Sequence, residues 1–285
     1  MSSIEPKAGD ILLMMSTDEL SKLIAWFGDS QYSHSALMVS EGLLMESIAA
    51  GITETKLADL KRPDFNIKYV DVYRSLDREG NFFSVSQQLA ILTSARQFMG
   101  IPFEFGKLVQ IGVLAAVRQK IPANPIIRRL LRLAFDHVLA NSEKAMTCSQ
   151  FVYNSLLRAD VAPSASVTPR IIHSGPSGLP FPDDIDWHEL LREIKALLPE
   201  HQQIENSFWL NNEVNSNEIS VLSDASLLQK AAEIRLALGF TEADEIRIAS
   251  HVVGDIIDTP NPKLVTPGDL FATPDHIAQG RWFSL

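Results

Sequence analysis

The chain has 285 residues, 46% of them hydrophobic, with 25 Lys and Arg against 35 Asp and Glu and a formal net charge of -10. That length can bury a full hydrophobic core, and the acidic balance argues against a nucleic-acid-binding surface. A single cysteine excludes an intrachain disulfide framework.

The opening residues Met1-Ser2-Ser3-Ile4-Glu5-Pro6-Lys7 lack the basic segment and long apolar run of a secretory signal, and the apolar stretch Leu108 to Val117 is too short to span a bilayer. The cytoplasm is therefore the default compartment; export without a cleavable signal stays open. Gly9-Asp10 followed by Ile11-Leu12-Leu13-Met14 reads as a turn entering a short buried strand. Ser16 with Glu19 has capping-box spacing, and Leu20, Leu23, Ile24 and Phe27 recur at helical spacing, predicting a helix from about Thr17 to Phe27. Tyr32 to Val39 and Leu43 to Ile48, separated by Glu41-Gly42, read as a β-hairpin that brings His34 and Glu46 to one end of the ribbon. Ile67 to Tyr73 is a third strand.

Ser84 to Met99 is expected to be helical with Leu89, Leu92, Ala95 and Met99 on one face, closed by Gly100 and Pro102. Phe103 to Val117 is apolar and reads as helix. Ile126 to Phe135 reads as an amphipathic helix with Arg128, Arg129 and Arg132 on a basic side. After Ala162, five prolines up to Pro182 mark an irregular crossing. Helices are expected at Trp187 to Leu198, Asp224 to Leu238 and from Thr241 to about Val253, around a polar Asn-rich tract from Gln202 to Asn217. Val265 to Phe271 starts a short terminal turn or helix, and Trp282 and Phe283 are expected to tuck the end against the body. The organisation is thus a core over 1–162, an irregular crossing and helical extension over 163–262, and a segment returning to the core over 263–285.

The sole cysteine stands at a predicted helix start. Thr147 is a plausible N-cap with Gln150 placed to complete a capping box, so Cys148 opens the first turn. Unpaired first-turn N–H groups and the positive end of the helix dipole favour a thiolate there. A lone cysteine is more often a small buried hydrophobe than a nucleophile. What shifts the balance is the presence of His34 and Glu46, which add the imidazole and the orienting carboxylate that a cysteine nucleophile requires. Zinc is a weak alternative, since there is neither a closely spaced His pair nor a second cysteine. No cofactor is expected.

Five stretches occur in order: Gly9-Asp10-Ile11-Leu12, Tyr32-Ser33-His34-Ser35-Ala36-Leu37, Met45-Glu46-Ser47, Thr147-Cys148-Ser149-Gln150-Phe151-Val152 and Thr266-Pro267-Gly268-Asp269-Leu270. The set resembles the permuted papain-like proteins of the NlpC superfamily, nearest the YiiX/YebB-like branch, with lecithin:retinol acyltransferase-type proteins as more distant relatives. The resemblance covers roughly residues 8 to 160 and resumes at 265 to 271. It implies an α+β, circularly permuted papain-like fold, with an antiparallel sheet packed against the nucleophile helix and an added helical C-terminal region. It also implies Cys148 as nucleophile, His34 as base, Glu46 as third member, and Tyr32 as an auxiliary hydroxyl or oxyanion donor lining the site.

The activity so implied is a cysteine-dependent hydrolase of amide or ester bonds acting through a thioester, on a peptide or lipid acyl substrate. The alternatives are a thiol acyltransferase and a noncatalytic lipid- or peptide-binding module on the same fold. The apolar run from Phe103 and the arginine helix would suit an acyl chain beside an anionic head group, with peripheral membrane contact. The plainer account is that both helices simply cover the sheet.

Overall fold

The computed structural model describes residues 4–28, 30–103, 146–159, 166–172 and 265–285, together with 182, 184–186, 189, 192–193, 256–257, 260 and 262. The expected helices over 103–117 (apart from Phe103), 126–135, 224–238 and 241–253, the polar tract at 202–217 and most of 187–198 lie outside these residues.

The architecture is α+β, an antiparallel sheet packed against helices. In chain order the sheet strands are β1 (Ile11–Ser16), β2 (His34–Ser40), β3 (Leu43–Ile48), β4 (Gly51–Lys56), β5 (Ile67–Ser75) and β8 (His276–Ser284); β6 (Ile171–Ile172) and β7 (Ile256–Ile257) pair separately. The six-stranded sheet has the order β4-β3-β2-β1-β5-β8, with every neighbour antiparallel. The α-helices bounded within the described residues are α1 (Glu19–Phe27), α2 (Val85–Arg96), α3 (Cys148–Leu157) and α4 (Pro267–Ala272).

Central β1 is apolar on both faces, and Ile11 through Met14 are fully buried. Alternation along the strands sorts their side chains into two cores. On one face Ile11, Leu13, Leu37, Val39, Met45 and Tyr73 meet Ile91, Phe98, Phe151, Val152, Leu156 and Leu270 from the helical side. On the other, Leu12, Met14, Ala36, Met38, Leu44, Val70 and Val72 meet Leu57 and Leu60, with Trp282 and Phe283 packed alongside. Phe151, Val152 and Leu156 are each fully buried. Each contributes roughly 1.5–3 kcal/mol relative to exposure, an upper figure given a compact unfolded chain. Among the described residues no helix is long and apolar enough to cross a membrane.

Several local expectations are corrected. Ser16 does not cap α1: it stays in β1 opposite Ile67, and Asp18 is the N-cap, its carboxylate accepting from Ser21 N at 2.8 Å. Helix α2 buries Ile91, Ala95 and, just past its end, Phe98, whereas Leu89 and Met99 are exposed. The helix is turned by the row that meets Phe151, with Phe98 and Phe151 rings edge-to-face at 6.2 Å. Strands β4 and β8 were not anticipated. β4 begins at Gly51, whose φ of 100° and close approach to Ile101 O leave no room for a Cβ. β8 returns the C-terminus to the edge of β5, and Trp282 and Phe283 are partly buried there.

Candidate active site

The site forms where β2 and β3 stop pairing. Their register ends at Ala36–Glu46, although β2 starts at His34 and β3 runs to Ile48. Ser35 and Ser47 would pair next, but both turn donors to the entry of α3. The Ser47 hydroxyl donates to Met146 O at 2.7 Å, and the Ser35 backbone N–H is directed at the Cys148 sulfur. The N-terminus of α3 therefore occupies the end of the hairpin.

Cys148 is the first residue of α3, with Thr147 as N-cap accepting from Gln150 N at 3.2 Å. The expected capping box is only half made, because the Gln150 side-chain oxygen is buried without a partner. No acidic residue lies in the first turn. The helix start is further held by the Ser149 hydroxyl, which donates to Val265 O at 2.7 Å. The same return segment abuts the chain leading to His34: a Cβ on Gly268 would stand 2.0 Å from Gly28 O, so only glycine permits the approach.

Glu46 lies opposite Ala36, which makes His34 its diagonal neighbour on the same face. His34 Nε2 and Glu46 Oε2 are 2.9 Å apart. With Nε2 so engaged, Nδ1 is the ring nitrogen left for sulfur, and the imidazole is in hydrogen-bonding and charge contact with the Cys148 thiol. Cys148 is 8% exposed.

Burial disfavours charge on each of the three groups, and their mutual contacts outweigh it. For Cys148, burial pushes the thiol up, but the charge and hydrogen bond of His34 and the donors of Ser35 hold it below its ordinary value. For His34, burial works downward, while the charge and hydrogen bond of Cys148 and then those of Glu46 push the imidazole up to about 10. Glu46 is likewise lowered: burial opposes ionisation, and His34 and the Thr55 hydroxyl overcome it. Sulfur and imidazole are thus each shifted toward the charged form.

Tyr32 is placed differently from expectation. It is buried, with its ring 5.4 Å from that of Phe271, and its hydroxyl donates its one proton to Asp71 at 2.8 Å while contacting Tyr73 OH at 2.8 Å. Asp71 is in turn held by Arg281 through two contacts of 2.8 and 2.9 Å. Burial first, then these partners, raise the Tyr32 pKa. The expected oxyanion donor is thus occupied in a network tying β8 to β5. Sequence reasoning missed Ser35 and Thr55. Only the alternation Ile52-Thr53-Glu54-Thr55-Lys56 could have flagged Thr55, by marking a strand beside β3.

Among the described residues, no group of three or more His, Cys, Asp or Glu side chains could hold a metal ion. No family model matches the chain, and no curated protein matches it. Among solved structures it is similar to the crystal structure of the metalloprotein YiiX from Escherichia coli O157:H7, with 20% identity, a TM-score of 0.36, and coverage of 56% of this chain and 95% of that one.

Proposed function

We propose that the chain is a cysteine-dependent hydrolase of amide or ester bonds, working through a thioester on a circularly permuted papain-like fold of the NlpC type. The observation that carries this reading is the contact series from the thiol at the start of α3, through the His34 imidazole, to the Glu46 carboxylate 2.9 Å beyond. A nucleophile, a base and a group orienting the base are the parts acyl transfer needs. The ordered motifs around these residues support the same family assignment.

In this mechanism the Cys148 thiolate attacks the substrate carbonyl carbon, and the developing oxyanion is met by the Cys148 backbone N–H, which has no acceptor within the helix. The C–N or C–O bond breaks, and protonated His34 gives its proton to the departing amine or alcohol. Water then attacks the thioester, His34 takes its proton, and the C–S bond breaks to release a carboxylic acid and restore the thiolate. Glu46 holds the ring in place and supports its positive charge. The substrate class is a peptide amide or a lipid acyl ester. An acyltransferase would share the first half of this sequence and use a hydroxyl or amine in place of water.

Intact-mass spectrometry after mixing the full chain with activated acyl esters tests the proposal. The expected result is an acyl adduct on Cys148 that decays in water and is absent from Cys148→Ala. Turnover that survives Cys148→Ala would overturn it, and decay that requires an added amine or alcohol would favour the transferase.

A further inference from the structure

Ser35 follows His34 in β2 and is fully buried; its hydroxyl is a buried polar atom with no hydrogen-bond partner. Such a group is destabilising where it stands, so its presence calls for a reason. Its main chain is tightly placed. Ser35 pairs with Leu13 in the β1 register, between Met14–His34 and Leu12–Ala36. Its backbone N–H faces the Cys148 sulfur, and its side chain is within reach of the same atom without forming a well-aligned bond.

We infer that the Ser35 hydroxyl is a positioning donor for the Cys148 sulfur, turning onto it when the sulfur carries negative charge. A neutral thiol is a weak acceptor, and a hydroxyl gains little by aiming at it. A thiolate is a strong one, and a hydrogen bond to an ionised acceptor is roughly twice as strong as one between neutral groups. The hydroxyl oxygen needs only to swing about the Cα–Cβ bond, because the strand register already sets the backbone that carries it. The bond therefore forms in the charged state and not in the neutral one, which is the differential interaction that favours the nucleophile. It complements the Ser35 N–H, so that one residue supplies two donors to the sulfur. His34 and Glu46 remain the charged groups facing the site.

The inference rests on reading Cys148 as an activated nucleophile, and the test separates the two. Rates of Cys148 alkylation by iodoacetamide are measured against pH for the full-length parent, Ser35→Ala, Ser35→Gly, Ser35→Thr and His34→Ala, with thermal melting as the folding control. Removing the hydroxyl is expected to move the thiol inflection upward and lower the alkylation rate below it by about tenfold, while the plateau above it is unchanged. Ser35→Thr, which keeps the hydroxyl, is expected to restore the parental profile. Superimposable profiles for the parent and a folded Ser35→Ala or Ser35→Gly would overturn the role of Ser35 and leave His34 intact. A parent profile with an ordinary thiol inflection, unchanged in His34→Ala, would instead remove the activated nucleophile and this inference with it.

Discussion

The N-termini of α1 and α3 solve one problem in opposite ways. Both present first-turn N–H groups that the helix itself cannot satisfy. At α1 these donors meet carboxylates: Asp18 accepts from Ser21 N at 2.8 Å, and Glu193, 174 positions on, accepts from Glu19 N at 3.1 Å and Leu20 N at 2.8 Å. Lys22 adds a contact to Asp184 at 3.0 Å, and Asp186 N donates to Glu19 at 3.0 Å. This end of α1 is a latch for a distant part of the chain. At α3 the cap is the neutral Thr147 hydroxyl, with no acid in the first turn. The positive end of its dipole is left for a group that can become an anion, and Cys148 stands there. Identical backbone chemistry serves attachment at one end and charge stabilisation at the other, according to whether carboxylates reach it first.

The largest effect that sharpens this contrast comes from His34→Ala. Losing the imidazole should reduce Cys148 alkylation at neutral pH and turnover by about 10²–10⁴-fold without unfolding the protein. Parental rates in the variant would show that the helix terminus alone sustains the thiolate.

Thr147→Asp makes the start of α3 resemble that of α1. The new carboxylate keeps the cap but repels the sulfur charge. A rise in the thiol inflection by about one unit is expected, seen as a tenfold loss of alkylation below it. An unmoved inflection in a folded protein would mean that the cap charge is irrelevant.

Stability against pH follows from His34 and Glu46. His34 is raised from 6.5 to about 10, so its contribution is complete below about 6.5 and is lost as pH rises through about 10. Glu46 is lowered from 4.5, so its contribution is present above that value and lost as pH falls through its folded pKa. Melting temperature should therefore hold between these limits and decline on both sides, with the alkaline decline flattened in His34→Ala. An unchanged alkaline limb in that variant would remove His34 from the linkage.

The smallest effect is expected at the latch. Glu193→Ala should cost about 1 kcal/mol in denaturant titration, typical of a lost cap, and leave the pH profile of Cys148 unmoved. A shifted thiol profile would show that the two helix ends are coupled rather than contrasted.

Much of the local structure could be read from short-range chemistry. The Ile11 strand, the hairpin turning at Gly42 with φ of 69°, and the start of α3 at Thr147 follow from patterns a few residues long. Where readings failed, a distant partner had decided the outcome. Both leucine and isoleucine rows of α2 suit a helix, and packing against α3 selects the one carrying Ile91. Ser16 and Asp18 are both competent caps, and the pairing of β1 with β5 holds Ser16 in the strand. β8 has a mixed, half-exposed composition, and what makes it a strand is the open edge of β5 beside it. At the site, the residue types and the helix-terminal position of Cys148 were legible. The roles of Ser35 and Thr55 were not, since a serine or threonine in a strand carries no mark of what it will face.

From the sequence alone came the inventory: an acidic chain with one thiol at a helix start, a hairpin bearing His34 and Glu46, and a cap without negative charge. These depend on neighbours within a turn or a ribbon, where backbone geometry leaves few choices. Only the tertiary structure decided that the β2–β3 ladder stops at Ala36–Glu46, that α3 fills the end so formed, and that Tyr32 turns to Asp71. Each of those outcomes depends on which of several suitable partners a polar group meets when distant segments pack together.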